Sequence, residues 1–91
     1  MLKIKKGFIL REVSGSYLVV AVGAASKEFK GLITLNETGA FLWEKLVDGN
    51  TKEGLVEAML KEYDAPKEVI EVDVDDFLQT ITNGGLVEQF R

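Results

Sequence analysis

Apolar residues crowd into two runs near the start of the chain, GFILREV (7–13) and YLVVAVG (17–23), both rich in β-branched and aromatic side chains. The SGS turn cluster between them accommodates a hairpin loop, so the pattern predicts two antiparallel strands. GAASKEFK (23–30) is small and polar apart from Phe29, which predicts a surface loop with one aromatic pinned to the core. GLITL (31–35) then reads as a third strand. From Asn36 the period changes from two to that of a helix. The Asn36 amide oxygen suits an N-cap, and Ala40, Trp43, Leu46 and Val47 recur on one inward face before DGN (48–50) stops the helix.

A second helix is predicted from Asn50 or Thr51, with Glu53 in its first turn and Leu55, Val56, Met59, Leu60 and Tyr63 on its apolar side. Pro66 suits the first turn of a third helix running to about Asn83. Its core face carries Ile70, Val74, Phe77, Leu78 and Ile81, and NGG (83–85) closes it. LVEQF (86–90) is left as a short strand or a packed tail. The predicted architecture is α+β and winged-helix-like, a small three-stranded antiparallel sheet followed by three helices, in one domain spanning 1–91.

Composition narrows the function more than it alters this picture. With neither cysteine nor histidine, the chain forms no disulfide, thiolate or imidazole metal site, and no Ser-His or cysteine nucleophile. Ser14, Ser16 and Ser26 therefore lack the usual base, and no catalytic residue and no cofactor is expected. The longest apolar run, Tyr17 to Val22, falls far short of the roughly 20 residues that span a bilayer. The basic N-terminal residues precede no signal-like apolar run, so the chain reads as cytoplasmic, with no membrane partner.

Net charge is −4, but it is unevenly spread. Lys3, Lys5, Lys6, Arg11, Lys27 and Lys30 make the front basic, whereas Glu62, Asp64, Glu68, Glu71, Asp73, Asp75 and Asp76 make the region of the third helix acidic. In a helix-turn-helix protein that helix would enter the major groove, where phosphates would repel it, so nucleic acid is not expected as a partner. EVDVDDF (71–77) is not a calcium loop either, since it lacks the required glycine and terminal glutamate. NET (36–38) is better explained by capping than by glycosylation, and VGAASK (22–27) lacks the second glycine and the Lys-Ser/Thr end of a phosphate loop. Trp43, on the inward stripe, reads as core; Gly39, early in the first helix, fits either a close backbone approach or fraying by the cap.

Val69 and Val72 lie off the core stripe of the third helix, edged by Asp73 and Asp76. They either form an exposed apolar strip or pack on the sheet. A three-stranded sheet also has two edges with unpaired backbone groups, and an edge beside such a strip is a docking place for an extended peptide.

FILREVSGSYLVVAVG, GLITLNETGAFLWEKL, KEYDAP and DVDDFLQTITNGGLV, in that order over residues 7 to 87, resemble the PqqD-like proteins, named after the coenzyme PQQ synthesis protein D. LNETGAFLWEKL is the most specific part. The resemblance implies a non-catalytic peptide chaperone in the biosynthesis of ribosomally made, modified peptides. It binds the leader of a precursor peptide and presents it to a modifying enzyme, a radical-SAM protein in the namesake case. The resemblance further implies that the leader adds to the third strand and lies against the third helix. Leu32, Ile33, Thr34 and Leu35 would then make the strand contacts, with Val69, Val72, Asp73 and Asp76 on the helix side. Val72→Asp and Ile33→Pro are expected to lose peptide without unfolding. The start MLKIKKGFILREV and the turn VDGN differ from the namesake's proline- and arginine-rich start and its cysteine, so the likeness is to the broader family. The alternative reading is a winged-helix regulator or protein adaptor that dimerises through its sheet edge; the leader-binding reading takes a monomer or weak homodimer.

Overall fold

Ser14 and Gly15 both adopt positive φ, 53° and 81°, the combination a type I′ turn needs, and the turn's twist matches that of the strands it joins. It links β2 (Phe8–Val13) to β3 (Ser16–Ala21) in an antiparallel hairpin. A computed structural model of the protein describes residues 1–28 and 33–90. In it, β4 (Ile33–Leu35) pairs antiparallel with β3, giving the order β2-β3-β4. The expected third strand is therefore an edge. Phe29 and Leu32 lie outside the described residues.

Three helices follow: α2 (Glu37–Leu46), α3 (Lys52–Glu62) and α4 (Lys67–Asn83). Asn36 caps α2 as the sequence predicts, its Oδ1 accepting from the Gly39 N–H at 2.8 Å and from the Thr38 hydroxyl at 3.0 Å. Asn36→Ala leaves that first turn without its side-chain acceptor. The change is expected to lower stability by about 1 kcal/mol, read as a drop in the urea midpoint at unchanged slope. Thr51 caps α3 in the same way through the Gly54 N–H.

The core lies between the sheet and these helices. Val19 and Leu35 meet Leu42, Trp43 and Leu46 of α2, Leu55 and Met59 of α3, and Ile70, Val74, Phe77 and Ile81 of α4. Trp43 is 2% exposed, which settles it as a core residue.

Several expectations need correction. The predicted loop contains one helical turn, α1 (Ala25–Glu28). Val47, expected on the inward face, is the C-cap of α2 and is exposed, one residue beyond Leu46, the last buried position of that helix. Leu60 is likewise partly exposed, and Pro66 precedes α4 as its N-cap. A second, two-stranded sheet accompanies the three-stranded one. β1 (Leu2–Ile4) pairs antiparallel with β5 (Val87–Gln89), and Leu2 exchanges two 2.8 Å backbone bonds with Asn50. A strand three residues long, with its partner at the far end of the chain, leaves little local periodicity to read.

Candidate peptide-binding edge and groove

A two-residue hairpin closes on a hydrogen-bonded pair, here Val13 and Ser16. Hydrogen-bonded pairs recur every second residue in an antiparallel ladder, so Arg11 with Leu18 and Ile9 with Val20 are the next two. The peptide groups of Leu18 therefore face β2, and those of Tyr17 and Val19 face β4. Their partners in register are Leu35 and Ile33. It follows that Ile33 and Leu35 spend their backbone groups on β3, while the N–H and C=O of Thr34 point to the free edge. Among the described residues no turn or cap bond uses them.

Side chains alternate in the opposite sense. Ile33 and Leu35 turn toward the helices, with Leu35 buried, and Thr34 is exposed on the other face.

Beside this edge runs an open groove of about 320 Å³. Thr34, Leu35, Asn36, Thr38 and Gly39 line it on the strand side, and Asp73, Asp76, Phe77 and Thr80 on the α4 side. The structure thus brings Thr34 and Leu35 together with Asp73 and Asp76. Val69 and Val72 are not in the groove lining, but they are 50% and 57% exposed and continue its α4 wall, each four residues before an acidic groove residue. They do not pack on the sheet. Ile33 lies behind the edge, against the core.

The site also contains residues that the sequence did not single out for it: Asn36, Thr38, Gly39, Phe77 and Thr80. Thr80 was within reach, since it lies four residues beyond Asp76 on the same helical stripe. The others depend on how the α2 cap folds over α4. Gly39 fits closely into the corner: a Cβ there would lie 3.1 Å from the Asn36 Oδ1 and 3.2 Å from the Leu35 Cβ, so both neighbours would have to give by a few tenths of an ångström. Its constraint is the corner itself, not a second backbone.

The electrostatics of α4 are uneven. Asp75, on the flank toward α3, meets Lys52 Nζ at 2.6 Å. Their hydrogen bond, reinforced by the carboxylate charge, holds the Lys52 ammonium above its ordinary pKa. Among the described residues Asp73 and Asp76 have no ion-pair partner, and no described lysine or arginine lines the groove. Among the described residues no polar or charged side chain is buried, and no three acidic groups converge as a metal site would require. No described helix is long and apolar enough to cross a membrane.

No curated protein matches the chain in sequence. Two solved structures are similar throughout. One is of TbiB1 in complex with the TbiA(β) leader peptide, at 22% identity and a TM-score of 0.73, covering 98% of each chain. The other is of lasso peptide synthetase B1 complexed with the leader peptide, at 14% identity and a TM-score of 0.71, covering 97% of this chain and 98% of that one. At these identities the likeness is one of fold. The sequence profile of the family described as coenzyme PQQ synthesis protein D (PqqD) matches residues 8–87, nearly the whole chain, and the protein accordingly belongs to the PqqD family.

Proposed function

We propose that this protein binds the leader segment of a ribosomally made precursor peptide and holds it for a separate modifying enzyme, with no chemistry of its own. The observation that carries this reading is the free edge of β4, where Thr34 offers one donor and one acceptor beside a groove walled by α4. An extended peptide satisfies both groups by adding as a fourth strand, and its alternate side chains enter the groove. Family membership and the leader peptides held by both structural relatives support the same reading. The absence of histidine and cysteine, and of buried polar side chains among the described residues, fits a carrier rather than a catalyst. A radical-SAM enzyme is one candidate for the partner, through the family resemblance.

The same edge also permits pairing between two copies. Isologous pairing through β4 would set the two acidic α4 stripes across the two-fold from each other, and like charges disfavour that arrangement. Leader binding is therefore preferred.

The test is affinity capture of the tagged protein from its native cells, in parallel with Thr34→Pro. Mass spectrometry should find a short peptide with the wild type that is lost with the variant. Recovery of the same partners by both, or of DNA alone, would count against strand addition. Val72→Thr provides a second check. It keeps shape and charge but removes an exposed apolar contact, and peptide affinity is expected to fall roughly five-fold with stability unchanged to within about 0.5 kcal/mol.

A further inference from the structure

Resting on this reading of the groove, we propose that the bound segment presents a lysine or arginine to Asp73 and Asp76, with an apolar residue two positions away on the same face. A peptide residue paired with Thr34 projects its side chain on Thr34's face, away from the helices, because paired residues in a ladder share a face. Its two neighbours point the other way, into the groove and toward α4. Groove-facing residues of the peptide are thus two apart, a step of about 6.7 Å along an extended strand.

The α4 wall repeats at nearly the same interval. Four residues of helix rise about 6 Å, which separates Val69 from Asp73 and Val72 from Asp76. One strand step therefore moves from the valine pair to the aspartate pair. An apolar side chain set against Val69 and Val72 places the next groove-facing side chain over Asp73 and Asp76.

Charge decides what that second side chain is. A peptide laid over the groove takes water from carboxylates that have no cation of their own among the described residues, and that costs free energy unless the peptide supplies one. Asp75, one residue away, shows the alternative, since Lys52 already serves it. The strand edge sets where the peptide lies, and the two aspartates select among the peptides that lie there.

The experiment selects phage-displayed random peptides of about twelve residues, twice the usual strand length, on the whole protein. Parallel selections use Asp73→Asn with Asp76→Asn, a charge-matched Glu44→Gln with Glu57→Gln control outside the groove, and Thr34→Pro. The wild type and the charge-matched control should enrich one basic position two residues from an apolar one, and the aspartate variant should lose only the basic preference. For a selected peptide, the aspartate variant should bind about three- to ten-fold more weakly at low salt, with the gap closing near about 0.5 M salt. Wild-type binders that depend on Thr34 but show no fixed basic position would overturn the charge inference and leave the groove standing. A basic preference lost equally in the charge-matched control would reduce it to net charge and overturn it too. Binders indifferent to Thr34→Pro would sink the strand-addition reading itself.

Discussion

Thr34→Pro is expected to weaken leader binding by about ten- to a hundred-fold while leaving the domain folded, and Ile33→Pro to unfold or severely destabilise it. The two residues are adjacent in one short strand, so the contrast isolates the direction of their backbone groups. Thr34 turns its N–H to the free edge, the side of an edge strand on which proline is tolerated. Proline there removes the donor and strands a peptide carbonyl, a loss of about 1–3 kcal/mol. Ile33 donates toward β3, so proline at 33 breaks the ladder and withdraws an apolar side chain packed on the core, for a combined cost of about 2–4 kcal/mol. The expectation that Ile33→Pro leaves the domain folded is thus revised by the register. Circular dichroism with urea titration reads stability, and fluorescence anisotropy of a labelled captured peptide reads binding. Equal affinity of wild type and Thr34→Pro would remove the edge from the mechanism.

Trp43→Ala is the second large effect, expected to cost about 3–5 kcal/mol of stability. A domain of this size has only about 5–14 kcal/mol in total, so the variant is marginal at best. Trp43 is almost wholly buried on α2, amid Leu42, Leu46 and the packed faces of α3 and α4. Truncation leaves a large cavity that close-packed neighbours fill only in part. Trp43→Phe should retain most of the stability. A Trp43→Ala protein of normal stability but impaired peptide binding would instead make the indole a ligand contact, contrary to its burial.

The helical half of the protein was legible because its signals are local. Caps at Asn36 and Thr51 and stripes such as Ile70, Val74, Phe77 and Ile81 lie within a few residues of what they organise. The hairpin was legible for the same reason, through Ser14-Gly15 and two β-rich runs. α1 was not, since a single turn of small polar residues carries too few positions to show a period. Nor was β1, whose pattern means little without Val87 to Gln89 beside it.

The candidate site divides along the same line. Val69, Val72, Asp73 and Asp76 share one side of a helix by spacing alone, and the acidity of that side, with the lack of histidine and cysteine, argued against DNA and conventional catalysis before any fold was known. The sequence left open whether the valines faced solvent or the sheet, and it gave no sign that the Asn36 to Gly39 corner lies across from Asp73 and Asp76. Those facts depend on contacts between segments more than thirty residues apart. Sequence determined the hairpin, the three longer helices and their charge, because hydrogen bonds within a helix or a tight hairpin join near neighbours. Only the tertiary structure decided which β4 amide is free and what faces it, because strand register and helix placement are set by burial shared between distant parts of the chain.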